Sequence, residues 1–315
     1  MNRSDLESQL TSYLRVREAL GIALGSESKV LKDFVTFVSS QDLAEAITSE
    51  VVFDWLDVIA QHHPSNVRRC LGLVRQFLLH LSATIPETQI PEFGLFRGRR
   101  RPTPFVFSSG QKELLLQEAA EFAPGLFFST VLHTVVGLIS VTGLRASEAV
   151  GLDCSDMVLH DNLGTLFIRE SKFDKSRIVP LHTSTAQRLA IYLDQRETPA
   201  KRLQTTALFL SRRGQRLSYG MLQACFRKLV DRAGIRARPG VNKPTLHSLR
   251  HSFVVARLQA WHEQGVDVQS RLVHLATYLG HVGIRESYWY MTATPELLSA
   301  AVSDFRPPAL PGGEQ

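Results

Sequence analysis

Residues 125–144, GLFFSTVLHTVVGLISVTGL, run for twenty positions without a Lys, Arg, Asp or Glu. A stretch of that length has to leave water. It either crosses a bilayer, which takes about 20 apolar residues, or it fills the middle of a folded core. Ser129, Thr130, His133, Thr134, Ser140 and Thr142 carry polar groups, and Gly125, Gly137 and Gly143 interrupt the run. Such groups are costly in hydrocarbon, so the stretch reads as a core helix and no membrane partner is expected. A core helix needs other apolar sequence to wrap it. At 315 residues and 44% hydrophobic, the chain has that sequence and is long enough for about two domains.

The surrounding periodicities are mostly helical. Val30, Leu31, Phe34, Phe37 and Val38 recur at helical spacing, as do Val51, Val52, Trp55, Leu56 and Ile59, and again Leu71, Val74, Phe77, Leu78 and Leu81. Ser49, followed by Glu50 and Asp54, suits the start of the middle helix. Residues 97–107, RGRRRPTPFVF, concentrate Arg97, Arg99, Arg100 and Arg101 ahead of Pro102 and Pro104 and read as an interdomain linker. Helices resume from Ser108 to about Leu152. Gly164–Arg169 and Arg177–Leu181 read as two short strands around the turn SKFDKS. From Thr183 a helical pattern continues to about Phe305, before a Pro- and Gly-rich tail, 306–315. The expected fold is mainly α (α+β overall): an all-helical N-terminal domain over 1–96 and a mainly helical domain with a small antiparallel sheet over 108–305.

Cys70, Cys154 and Cys225 form no CxxC pair, which excludes a disulfide framework or thiolate metal site. The N-terminus MNRSDLESQLTSYL has no apolar signal segment, so a reducing cytoplasm is expected. The formal charge is +6, yet residues 201–260 hold thirteen Lys or Arg against one acid, Asp231. The remainder is therefore net acidic. A segment of one sign points to a polyanion such as a nucleic-acid backbone. Arg97, Arg99, Arg100, Arg101, Lys175, Arg212, Arg213, Arg227, Lys228 and Lys243 are the candidate DNA contacts.

Four short pieces carry the chemistry. TGLRASEAVGL (142–152) places Arg145 after a Thr-Gly break and Glu148 three residues on. SKFDKSRIVPLH (171–182) carries Lys172 and Lys175. LHSLRHSF (246–253) sets His247 and Arg250 about one helical turn apart. LGHVGIRESYWY (279–290) puts His281 nine residues before Tyr290. His247 and His251, at i and i+4, have the spacing of zinc ligands, but no HExxH motif or third ligand accompanies them. No metal is therefore expected. Tyr288 and Tyr290 point about 200° apart on a helix, so only one can face a common target.

In this order, Arg, Lys, His-x-x-Arg, His and Tyr resemble the tyrosine recombinase (phage integrase) family, of the Xer and lambda-integrase kind. The resemblance covers the whole C-terminal domain; the first domain resembles the family's core-binding domain only in size, helicity and position. It implies a site-specific recombinase or integrase, as of a mobile element, that cuts and rejoins duplex DNA through a 3′-phosphotyrosine. Tyr290 is the implied nucleophile. Arg145 and Arg250 are the implied phosphate clamps. Lys172 is the implied general acid, with Lys175 as its rival because Phe173 and Asp174 stand where a Gly-containing turn is common. His247 and His281 are implied hydrogen-bond donors or proton carriers, and Glu148 a buttress. The bond energy is conserved in such a reaction, so no cofactor is expected. The resemblance also implies a tetramer on paired specific sites, with room for partner recombinases, working at the nucleoid. A type IB topoisomerase-like relaxing enzyme would use the same residue classes. A catalytically silent DNA-binding regulator would have no need of a nucleophile.

Overall fold

A computed structural model describes residues 3–22, 24–41, 46–92, 103–123, 125–160, 163–171, 175–203 and 205–280. The chain divides into two compact units, Met1–Arg100 and Arg101–Gln315.

The first unit holds four helices, α1 (Arg3–Ala19), α2 (Gly25–Ser39), α3 (Ser49–His62) and α4 (Val67–Leu81). Their apolar stripes close on one core, in which Phe34 meets Trp55 edge-on at 5.2 Å. The Trp55 indole N–H donates to Asp33 at 3.1 Å, so the ring is buried without orphaning its donor. The cap of α3 is Thr48 rather than Ser49: its hydroxyl faces the Val51 N–H at 3.5 Å, while the Ser49 N–H donates to the Gln89 side chain at 2.9 Å.

The second unit is built around the charge-free stretch. Its helix α6 (Phe127–Thr142) follows α5 (Ser109–Ala120) and is buried along most of its length. Ser108 caps α5 by accepting the Gln111 N–H, and the Gln111 side chain returns the bond to the Ser108 N–H. Polar groups of α6 find close partners: Ser140 donates to the Val136 carbonyl and Thr142 to that of Leu138, while Ser129 donates to the Ala123 carbonyl ahead of the helix. Among the described residues no helix is long and apolar enough to cross a membrane.

After α7 (Ala146–Gly151) and a 3-10 turn at Cys154–Asp156 comes an antiparallel sheet. Its order is β1 (Met157–His160), β2 (Leu163–Ser171), β3 (Lys175–Leu181). Two strands were expected and three are found. MVLH is too short to show alternation, and β1 is defined by its ladder with β2, from Met157 opposite Leu166 to His160 opposite Leu163; Arg169 of β2 also reaches back to Asp153 and Asp156. Leu166, Ile168, Val179 and Leu181 line the buried face, while Phe167 and Ile178 face outward.

The expected helical pattern beyond Thr183 is also interrupted. Helix α8 (Thr183–Leu203) precedes an extended stretch in which Ala207 bridges to Asp153 and Leu210 to Arg216. ALFL at 207–210 is buried throughout, the pattern of an extended core segment. The Tyr192 hydroxyl donates to the Leu208 carbonyl at 2.8 Å, and Arg196 donates to Ala207. Helices α9 (Tyr219–Arg232), α10 (Leu246–Glu263) and α11 (Val268–Leu279) complete the described unit.

The expected linker 97–107 is shorter than its composition suggests. Thr103 bridges to Val241, the Phe107 N–H donates to Ser252 at 2.7 Å, and Phe105 and Phe107 are buried in the second unit's core. Two aromatic rings gain more from that burial than from solvation in a joint. Arg97, Arg99, Arg100 and Arg101 lie outside the described residues, as do the tail and everything after Gly280.

Candidate active site

The end of α6 sets the first functional arginine. Gly143 closes the helix at φ +65°, its N–H bonded to the Ile139 carbonyl at 2.9 Å, and the chain turns so that Arg145 precedes the first turn of α7. A Cβ at Gly143 would lie 2.5 Å from the Phe253 ring, so the turn admits only glycine. Glu148 then reaches back over α7's start. One carboxylate oxygen accepts the Arg145 N–H and the other accepts its guanidinium, both at 2.9 Å.

A second arginine meets the same carboxylate from the sheet. Arg177 of β3 binds Glu148 through both ends of its fork, at 3.0 and 2.8 Å. The Glu148 and Arg177 side chains are only 6% and 9% exposed, against 21% for Arg145. Burial by itself would raise the Glu148 carboxyl, but Arg177 and Arg145 outweigh it and hold the group below the usual carboxylate range.

Helix α10 supplies the third arginine. Ser248 accepts the Thr245 N–H at 3.0 Å and fixes the helix start, which places His247 and Arg250 in the first turns. Arg250 is buried, 1% exposed. It donates to the Gly143 carbonyl at 2.9 Å and to the Leu279 carbonyl at 2.7 Å. Arg145 donates to the Gly280 carbonyl at 3.0 Å, and Arg177 Nε to that of Tyr278 at 2.8 Å. Three consecutive carbonyls, 278–280, at the C-terminus of α11 thus receive arginines from three different elements. A helix C-terminus leaves carbonyls without intrahelical partners and carries a partial negative charge, which suits cations. Gly280 sits at φ +67°, and a Cβ there would come within 2.8 Å of the Arg177 guanidinium.

His247 is solvent-exposed on its outer side. The packing on its inner side, then Arg250 and Arg145, push its pKa below the usual histidine range, so the ring is neutral at pH 7. Its ring meets that of His251 edge-on at 4.4 Å. Among the described residues no group of three His, Cys, Asp or Glu is placed to hold a metal. Tyr278 stacks on Phe253 at 5.9 Å, and burial pushes its phenol up to about 12 despite Arg177, Arg257 and Arg250.

Arg145, Glu148, His247 and Arg250 are therefore brought together. Lys172, His281 and Tyr290, with Tyr288, lie outside the described residues. Lys175 pairs with Ser171 at the start of β3, its side chain likewise outside them. Arg213, Arg227, Lys228 and Lys243 are exposed, whereas Arg212 lies over the Phe128 ring at 5.2 Å and that of Phe122 at 5.9 Å. Arg216, from the same basic segment, donates to the carbonyls of Val150, Gly151 and Leu152 and pairs with Asp153 at 2.5 Å, its side chain 40% exposed. Arg177 is the residue that the motifs did not single out. The available signal was a cation in register with Val179 and Leu181 on the strand's buried face. A cleft of about 620 Å³ lined by His133, Arg188 and Tyr192 contains none of the motif residues.

Comparison with known proteins agrees with this constellation. The phage integrase family matches residues 110–296. A putative integrase/recombinase, y4rB, of Sinorhizobium fredii is 34% identical over 306 residues, covering 95% of this chain and 96% of its own. Tyrosine recombinase XerD of Listeria monocytogenes is 27% identical over 320 residues, covering 97% of this chain and all of its own. In fold, the chain is similar to the XerH site-specific recombinase bound to its palindromic difH substrate, with a TM-score of 0.68 at 20% identity, over 96% of this chain and 84% of that one. With Arg145 and Arg250 on the carbonyls that end α11 and Glu148 on Arg145, and with that similarity along nearly its whole length, the chain belongs to the phage integrase family and is a tyrosine site-specific recombinase.

Proposed function

We propose that Tyr290 attacks a scissile phosphodiester of duplex DNA, held by Arg145 and Arg250. The phenol loses its proton, a tyrosyl–phosphorus bond forms, and the phosphorus–5′-oxygen bond breaks. Lys172 gives a proton to the departing 5′-oxygen. A 3′-phosphotyrosine and a free 5′-hydroxyl result, and attack by another 5′-hydroxyl reverses the step on a new strand. The carrying observation is the convergence of Arg145 and Arg250, 105 positions apart in sequence, on the adjacent carbonyls of Gly280 and Leu279. These residues immediately precede the segment with His281 and Tyr290.

The physical roles follow from residue type. A free phenol has a pKa near 10 and is a weak nucleophile at pH 7; adjacent cations favour its phenolate. Each guanidinium carries five N–H donors, and its planar fork matches phosphate oxygens. Fixed positive charge placed where negative charge develops lowers the barrier more than any other single effect in sites of this kind. Neutral His247 carries one donor and one acceptor nitrogen and can relay the nucleophile's proton, while His281 donates to the phosphate. Glu148 holds Arg145. Arg213, Arg227, Lys228 and Lys243, with Arg97, Arg99, Arg100, Arg101, Lys175 and Arg212, bind the DNA backbone. Domains over 1–96 and 108–305 grip the duplex, and four copies assemble on two paired sites to exchange strands of a mobile element in the cytoplasm.

The test is a covalent trap. Duplexes that wild-type protein captures covalently from random sequence are recovered, and a nick is placed beside the mapped cleavage point so that the short strand escapes. Wild type and Tyr288→Phe are expected to form a detergent-resistant adduct, and Tyr290→Phe none. An adduct from Tyr290→Phe would overturn the assignment.

A further inference from the structure

We infer that Arg177 is a positioning residue for the recombination reaction: it neutralises Glu148 so that Arg145 is held in place by a carboxylate yet keeps its positive charge for the phosphate. The inference rests on the reading that Arg145 meets the scissile phosphate, and it gives a role to a residue outside that constellation.

The geometry sets up a conflict that Arg177 resolves. Glu148 orients Arg145 twice, through its backbone N–H and its guanidinium, both at 2.9 Å. A carboxylate so close, in a site where its side chain is 6% exposed, would cancel most of the field Arg145 presents. Arg177 takes both carboxylate oxygens, at 3.0 and 2.8 Å, through the bidentate geometry that best matches the two groups. Arg145, Glu148 and Arg177 together then carry one net positive charge, and that charge belongs to the more exposed arginine. Arg177 itself is 9% exposed, with Nε on the Tyr278 carbonyl, so it faces the protein rather than a ligand.

The Nε bond of Arg177 to the Tyr278 carbonyl also ties β3 to the end of α11. Lys172 lies just upstream of β3 and His281 directly after Gly280. A purely mechanical tie between these two segments would predict a different response to mutation from the charge role, which makes the two separable.

The experiment uses the full chain and the nicked duplex described above. It reads the single-turnover rate of covalent adduct formation and, separately, duplex affinity. Arg177→Met is expected to slow adduct formation by roughly 10- to 100-fold, the usual range for a partner behind a functional ligand, with affinity changed less than threefold. Arg177→Lys restores the charge without the fork and should recover most of the rate. The decisive variant is Arg177→Met combined with Glu148→Gln. The amide oxygen still accepts one of the two Arg145 bonds and has no charge to compensate, so the double variant is expected to be faster than Arg177→Met alone. Thermal melting of each variant separates loss of fold from loss of rate, and the double variant stays informative if Arg177→Met is poorly folded. A wild-type rate in Arg177→Met, or a double variant no faster than the single one, would overturn the inference. A wild-type rate in Arg145→Ala would instead overturn the reading of the phosphate site.

Discussion

The turn at Gly143 offers the sharpest quantitative test of how this site is built. Gly143→Ala introduces two separate costs. The first is conformational: φ is +65°, and a residue with a Cβ in the left-handed region costs about 1–2 kcal/mol. The second is steric: the new Cβ would lie 2.5 Å from Phe253 Cδ1, a ring that stacks on Tyr278 and cannot retreat freely. Overpacking of that kind costs about 1–3 kcal/mol, so the total is about 2–5 kcal/mol. For a unit of this size each kcal/mol lowers Tm by about 2–4 °C, giving a drop of roughly 4–20 °C. Gly125→Ala is the matched control, with φ +74° and nothing within 4 Å of its Cβ. It should show the conformational cost alone, roughly 2–8 °C. Thermal unfolding followed by circular dichroism of the two single variants yields the steric cost as their difference. Adding Phe253→Ala to Gly143→Ala should return part of that difference, because the two changes share one contact. Equal drops for the two glycine variants would show that the close approach to Phe253 plays no part.

Other consequences can be read from the same bonds. Glu148 titrates lower in the folded state than in the unfolded chain, so its stabilisation is complete above the unfolded value, roughly 4.3, and is lost as pH falls through the folded one. Urea midpoints should fall on that acid limb, and Glu148→Gln should flatten it while lowering the neutral-pH plateau. Arg216→Ala, which strips donors from the carbonyls of Val150, Gly151 and Leu152, is expected to cost about 1 kcal/mol of stability and leave the salt dependence of DNA binding unchanged. Arg227→Ala should do the reverse, reducing the slope of log affinity against log salt by about 1 at no cost in stability. Ser108→Ala should cost about 1 kcal/mol in chemical denaturation, since both halves of the α5 cap are formed.

The parts of this protein legible in sequence are those in which a local pattern has one physical outlet. A charge-free run with scattered hydroxyls could become α6 because Thr134, Ser140 and Thr142 bond within the helix and Ser129 bonds just ahead of it. Helical stripes such as Leu71, Val74, Phe77 and Leu78 likewise had to face a core. Arg145, Glu148, His247 and Arg250 were legible as a set through the order and spacing of their motifs. What stayed hidden was settled across long sequence separations. β1 is marked by its pairing with β2 rather than by its own pattern, and 103–107 joins the second unit because Phe105 and Phe107 enter its core and the Phe107 N–H reaches Ser252. Arg177 was obscured for a related reason. It shares a face with Val179 and Leu181, but Ile178 between them is apolar and exposed, so the alternation that would mark a buried cation is missing.

The basic segment shows the difference between charge and contact. Of its thirteen cations in 201–260, Arg216 pairs with Asp153 and Arg236 with Asp231, whereas binding to a neutral carbonyl or an aromatic face cancels no charge. The field that draws a polyanion in therefore depends on the whole set. Phosphate contacts depend on donors that reach outward, and Arg216 commits donors to backbone carbonyls and to Asp153. Counterion release follows contacts rather than formal charge. The salt slope of binding should accordingly be shallower than a count of thirteen implies, and it should respond to Arg213, Arg227, Lys228 and Lys243 before it responds to Arg216. A slope that fell equally for Arg216→Ala and Arg227→Ala would mean that Arg216 lets go of its carbonyls when DNA arrives.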